Sequence, residues 1–299
     1  MLQRRMPRFA RPSPCLERLD RLAWSDGACI ESHGLRIGIR VNDAAALDEL
    51  ERRLPPDWRP SPRADVERLF SVWLGDRSSR VKRYHLVYAG ISRRARTLDR
   101  DEALGALEAE LRQAVAAGAR RRVFVHAGVV GWRGRAIVIP GRSGAGKTTL
   151  VTELVRAGAT YYSDEFAVLD AAGRVHPYAK DLSIRGEGDI TVNTPVEALG
   201  GHAGATPLRP ILFAVAAHRP GARWRPQHPT PGRALLALLA HTVPVRRRPR
   251  ASLRALEAAL RDAVVLQGNR GEARQTADAL LRAADRMLET SKVPERGAA

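Results

Sequence analysis

Cysteine is scarce. Cys15 and Cys29 are the only two in 299 residues, with no metal-ligand spacing. That excludes a disulfide framework and makes a cytoplasmic location the default expectation. No apolar run reaches the roughly 18 residues that a membrane helix needs, so no membrane span is expected. Arginines near Met1 are not followed by an apolar stretch, and a secretory signal is not expected either. Lysine is almost missing: Lys82, Lys147, Lys180 and Lys292 are four among fifty basic residues. The net charge of +18 is therefore nearly all arginine. Arginine with abundant alanine is what GC-rich coding produces. Aromatic residues make up only 5% and do not alternate with the arginines. The arginines are dispersed except at 120–122 and 246–250, so no nucleic-acid partner is expected.

The chain reads as an α/β domain preceded by an α+β N-terminal domain. Residues 1–25 lack periodicity, contain three prolines, and are expected to be poorly ordered. Residues 26–120 read as an α+β domain. Its expected strands cover 29–31, 35–41, 69–74 and 84–88, the last two joined across 75–80. Asn42 or Asp43 caps a helix running to Leu54, and a second helix covers 99–117. The character changes near Arg122. Strands are expected at 123–130 and 136–139, a helix at 148–157 stopped by Gly158, and strands at 160–163 and 166–169. A strand at 211–217, helices at 234–240, 251–261 and 272–288, and a short strand at 264–267 complete a domain over 121–290. Residues 291–299 read as a loose tail.

Gly141-Arg142-Ser143-Gly144-Ala145-Gly146-Lys147-Thr148 fits the phosphate-binding pattern G-x-x-x-x-G-K-S/T without exception. A strand precedes it and a helix follows, the context that the pattern requires. Glycines let the backbone close around phosphate, so that amides at a helix N-terminus point at the anion. Lys147 reaches the β- and γ-phosphates, the Thr148 hydroxyl can ligate Mg²⁺, and Thr149 extends the nucleotide-binding set. ATP and Mg²⁺ are the cofactors expected. One strand later comes Ser163-Asp164-Glu165. In a parallel sheet, the end of that strand faces the same crevice as the phosphates. One acid can then position the metal while the other accepts a proton. A solvated acidic turn is the plain alternative.

At this point the segment resembles the HPr serine kinase/phosphorylase family and its smaller relatives, which share a core with ATP-type phosphoenolpyruvate carboxykinases. His126, 15 residues before Gly141, matches that family's active-site histidine, although a histidine on a strand can also be a satisfied core residue. Lys147 and Thr148 match the phosphate lysine and metal hydroxyl, and Asp164 and Glu165 fall on the family's Asp-Asp pair. The resemblance implies that Glu165 is the proton acceptor and that Asp164 joins Thr148 at the metal. Residues 183–190 resemble the signature Glu-Val-Arg-Gly-Leu-Gly-Ile at Arg185, Gly186 and Gly188. Ser183 stands where the signature has its metal-binding glutamate, with Asp181, Glu187 and Asp189 as candidate substitutes. Arg219 and Arg223 are candidates for the second catalytic arginine.

The resemblance implies an ATP-dependent kinase acting on a hydroxyl, with a serine of a peptide or protein as the leading acceptor. Catalytic roles then fall to His126, Lys147, Asp164, Glu165 and Arg185. Members of the family form hexamers, so a homo-oligomer is compatible, although no interface is legible. Two other readings compete. A small-metabolite kinase also places an acid one strand after the loop helix. A nucleotide-binding regulatory protein would fit the missing acid at Ser183.

Overall fold

The computed structural model describes residues 1–9, 19–76, 83–185 and 191–290 of a mixed α/β chain. It divides into two units, Met1–Arg121 and Arg122–Ala299.

In the first unit, β1 (Arg8–Phe9) precedes β2 (Asp26–Ser32), β3 (Leu35–Val41), α1 (Ala45–Glu51), β4 (Arg59–Pro60), β5 (Asp65–Val66), β6 (Arg68–Trp73), β7 (His85–Ala89), β8 (Ser92–Thr97) and α2 (Arg100–Gly118). Six strands form one sheet in the order β4-β2-β3-β6-β7-β8, with β3 and β6 parallel. Two expectations change here, and one strand is new. Residues 1–9 are not loose, because β1 pairs with β5 and Arg5 N donates to Gly27 O at 2.6 Å. Helix α1 stops at Glu51, short of Leu54, and Asn42 is pinned to Leu74 through its side-chain amide at 2.6 and 3.0 Å. Strand β8, with the sequence SRRART, carries no apolar alternation. It pairs by backbone alone at the sheet edge, where charge discourages further strand addition. Asp99 caps α2 by accepting from Glu102 N at 3.1 Å. The join expected at 75–80 falls largely outside the described residues.

The second unit begins with β9 (Val123–Trp132) and β10 (Arg135–Pro140). Then come α3 (Lys147–Arg156), β11 (Thr160–Ser163), β12 (Phe166–Leu169), β13 (Val175–His176) and the hairpin β14 (Leu182–Arg185) with β15 (Thr191–Thr194). A 3₁₀ turn (Val196–Leu199), β16 (Pro210–His218), α4 (Pro231–Leu239), α5 (Pro249–Leu260), β17 (Val264–Arg270) and α6 (Ala273–Thr290) complete it. The sheet runs β13-β12-β9-β10-β16-β17, with β11 also on β9. Period-two alternation buries both faces. Ile137 and Ile139 pack with α3 and α6, while Ala136 and Val138 pack with α4 and α5.

The sheet is not parallel where the acids sit. Strand β9 is antiparallel to β10 on one edge and to β11 and β12 on the other. Two reversals restore direction, so β10, β11, β12, β16 and β17 run the same way. The acids follow the last residue of β11, as expected, and β12 begins just beyond them along the same edge of β9.

The turn between β12 and β13 is tied by Asp170, which accepts from Ala172 N, Arg174 N and Arg174 Nε, each at 2.9 Å, and contacts His176 Nε2 at 3.0 Å. Burial pushes its carboxyl up, but the bonds from His176 and Arg174 dominate and bring it down to about 2. A depressed carboxylate stabilises the fold above its unfolded pKa and stops doing so as pH falls through the folded value. Asp170→Asn should therefore cost about 2 kcal/mol at neutral pH. The gap to wild type should close between about pH 5 and pH 2. Urea unfolding of both proteins across that range checks this; a gap independent of pH would contradict it.

Candidate functional site

Strand β9 is paired along both edges, and every element of the site hangs from it. On one edge β10 covers Ala127 to Trp132 and then leaves at Pro140 into the phosphate loop. Where β10 departs, residues 241–243 take over: His126 N donates to His241 O at 2.8 Å and Val243 N to Phe124 O at 2.9 Å. On the other edge, Glu165 O accepts from Ala127 N at 3.1 Å. Asp164 and Glu165 therefore lie across one strand from the loop. Gly128 brings α3 down onto that strand, for a Cβ there would stand 2.5 Å from Val151 Cγ2.

The loop is closed by a main-chain bond and by two left-handed glycines. Gly141 N donates to His126 O at 3.0 Å, and Gly144 and Gly146 take left-handed φ values of 79° and 72°. Gly146 is the N-cap of α3. Lys147 follows, its Nζ donating to Arg142 O at 2.8 Å. Arg142, Ser143 and Gly144 are exposed, while Ala145 through Thr148 are half-buried.

Thr148 and Asp164 meet, as the sequence leads one to expect: Thr148 Oγ1 donates to Asp164 Oδ2 at 3.0 Å. The other oxygen, Oδ1, faces Lys180 Nζ at 3.0 Å and the Tyr161 hydroxyl at 3.1 Å. That hydroxyl also lies 2.9 Å from Lys180 O, so its one proton is shared between two acceptors. Asp164 is thus buried, paired and oriented, with Oδ2 held on the loop side. Glu165 is half-buried, and its backbone N donates to Ser163 Oγ at 3.1 Å. Burial lowers the Lys147 pKa, and the charges of Asp164 and Glu165 oppose that.

His126 is half-buried, its ring 4.8 Å from that of Phe166. Burial first, then the charges of Lys147 and His241, lower its pKa. His241 is lowered by burial, Lys147 and Arg142 in that order. Both imidazoles are therefore biased towards the neutral form beside a cationic loop.

The signature region is only partly placed. Arg185 ends β14 opposite Thr191, and its side chain, with Gly186, Glu187, Gly188 and Asp189, lies outside the described residues. Ser183 Oγ donates to Asn193 Oδ1 at 3.2 Å. Asp181 is exposed, and Lys180 Nζ donates to its backbone carbonyl at 3.1 Å, which does not bring its carboxylate to the site.

Four residues escape sequence reasoning: Lys180, Tyr161, His241 and Arg270. The signal for Lys180 was its rarity, since the two lysines within the described residues, Lys147 and Lys180, flank one carboxylate. Arg270, at the end of β17, is buried at 3% exposure. Its Nη2 donates to Gly146 O at 2.9 Å and Ala145 O at 3.3 Å, and its Nη1 to Gly271 O at 3.1 Å. Burial lowers its pKa, and Glu272 opposes that. No family model matches the chain, and no match with curated proteins was found either.

Arg270 props the loop from below. Arg270→Met should strand the Ala145 carbonyl, at about 1–3 kcal/mol where burial persists, while Gly146 O keeps its bond from Leu150 N at 3.2 Å. Gly146→Ala should be harmful from the other side, because its Cβ would meet Arg270 Nη2 at 2.4 Å in a left-handed backbone. Chemical unfolding of each variant tests this; wild-type midpoints for both would contradict the propping role.

Proposed function

We propose that the second unit is an ATP-dependent kinase of the HPr-kinase-like type, transferring the γ-phosphate to a hydroxyl, with a serine of a peptide or protein as the acceptor. The observation that carries this is the Thr148–Asp164 bond. It joins the hydroxyl that follows the phosphate lysine to a buried carboxylate held on the far edge of β9. Two hard oxygens at one point suit Mg²⁺, which is normally held by one or two carboxylates together with substrate phosphates. The described residues hold no group of three or more His, Cys, Asp or Glu side chains that could cage a metal alone, and magnesium of this kind needs none.

Each residue has a role that follows from its place. The loop amides and Lys147 would bind the phosphates, and Thr148 with Asp164 would hold the magnesium. Bound magnesium would supply charge neutralisation for the transferring phosphate. Lys180 and Tyr161 hold Asp164 in orientation through its other oxygen. Glu165 accepts the proton of the acceptor hydroxyl as that oxygen bonds to the γ-phosphorus and the bond from phosphorus to ADP breaks. His126 and His241, biased neutral, line the loop side without adding fixed charge.

Two experiments test this. ATP affinity should rise with Mg²⁺ in the wild type. Thr148→Ala and Asp164→Asn should each reduce that rise, and the double variant should lose little more than the worse single, because both touch one ion. An unchanged magnesium effect in all three variants would contradict the site. Glu165→Gln should keep ATP affinity while phosphate transfer, followed by mass spectrometry on serine peptides encoded beside the gene, falls about 10²–10⁴-fold. Transfer at the wild-type rate would move the base elsewhere, with Asp164 next.

A further inference from the structure

The segment after β16 carries arginine at 219, 223 and 225, and α4 adds Arg233 in its first turn. All four are exposed. Their backbone is fixed along β17, the last strand of the sheet. Arg219 N donates to Arg270 O at 2.8 Å, and Gln227 and Gln267 exchange backbone bonds at 2.9 and 3.0 Å. Two glycines permit this approach: a Cβ on Gly271 would lie 2.2 Å from Ala222 O, and one on Gly268 would lie 3.2 Å from Pro226 Cα. The segment therefore leaves the β16 side at Arg219, passes the end of β17 beside Gly271 and reaches its free edge at Gln227.

Two hollows open beside it, of about 570 Å³ and 410 Å³, which share Arg225 and Asn269. Arg233 and His228 line the larger, and Arg219 and Arg223 the smaller. No aspartate or glutamate lines either one. Among the described residues none of these four arginines is ion-paired to a carboxylate, whereas Arg156, Arg174 and Arg133 are. The groove adjoins the phosphate site through Arg270, whose carbonyl holds Arg219 and whose guanidinium holds Gly146.

We propose that this groove docks the acceptor and that the acceptor is an acidic, serine-bearing peptide segment. This rests on the kinase reading given above. Unpaired guanidinium groups on a fixed backbone, forked for carboxylates, select negative charge and speed its arrival. Two joined hollows at successive arginines suit an extended chain carrying several carboxylates better than one compact metabolite. Neither hollow is lined by Phe, Tyr or Trp, the larger stacking surfaces that bind bases.

The test uses the full chain and fluorescence anisotropy. Probes are a short labelled serine peptide rich in aspartate and glutamate, its asparagine and glutamine counterpart, and single-stranded poly(U); malate serves as an unlabelled competitor. The acidic peptide should bind with an affinity that falls as salt rises, and at least about tenfold more tightly than the neutral one. The double change Arg225→Glu with Arg233→Glu should weaken it by about tenfold or more while ATP affinity holds, and the Arg→Gln pair should fall between. Equal binding of the neutral peptide, tighter binding of poly(U), or competition by malate at the peptide's own concentration would overturn the proposal. So would a parallel loss of ATP affinity, which would assign the arginines to the nucleotide. If wild type binds the acidic peptide by charge yet does not bind ATP, the docking stands and the kinase reading fails.

Discussion

One strand bears the geometry of this site. The ten residues of β9 offer two edges, and both are filled along their length. On one side β10 gives way to residues 241–243 as it turns out into the phosphate loop; on the other, β11 gives way to β12 as it opens at Asp164 and Glu165. Both breaks occur opposite the same stretch of β9, near His126 and Ala127. Phosphate loop, acid pair and two histidines are thereby gathered by main-chain hydrogen bonds, which are hard to shift without losing the sheet. Slipping β11–β12 by one residue would turn its alternate side chains to the opposite face and remove Asp164 from Thr148.

Charge then does what the sheet alone cannot. Asp164 is buried, a costly place for a carboxylate unless it is paired and hydrogen-bonded. Lys180, Tyr161 and Thr148 meet that demand from three directions. The result is a carboxylate with one oxygen committed and one facing the loop. Beneath the loop, the Arg270 guanidinium takes up two carbonyls that the left-handed turn at Gly146 directs inward, and it adds a positive charge behind the amides. Both devices pre-orient polar groups before any ligand arrives, which is how binding energy is kept from being spent on rearrangement.

Much of this was legible in the sequence because it is local. The eight-residue loop motif, the acids one strand later, and the apolar runs of β9 and β10 announce themselves by type and spacing. What escaped was decided by pairing across the chain. Nothing local in SRRART marks β8, because an edge strand needs no apolar face. Nothing near Lys180 says that Asp164 will be its partner, although the rarity of lysine in so basic a chain was a clue. Asp164 and Glu165 were expected at the end of a strand in a parallel sheet. They do follow the end of β11, but that strand lies antiparallel on β9, and only two reversals restore direction. The spacing of arginine along the sequence also does not show which of them line one groove. Positions 219, 223, 225 and 233 are separated in the chain and brought beside one another by the packing of the 219–230 segment against β17.

The central claim is that residues 141–148 hold nucleotide phosphates with the magnesium site at Thr148 and Asp164. Titrating labelled ATP into wild type and Lys147→Ala, each with and without Mg²⁺, tests it most directly. The account predicts tight binding only for wild type with magnesium, and a marked loss when either the lysine or the ion is removed. Equal affinity in all four conditions would contradict it.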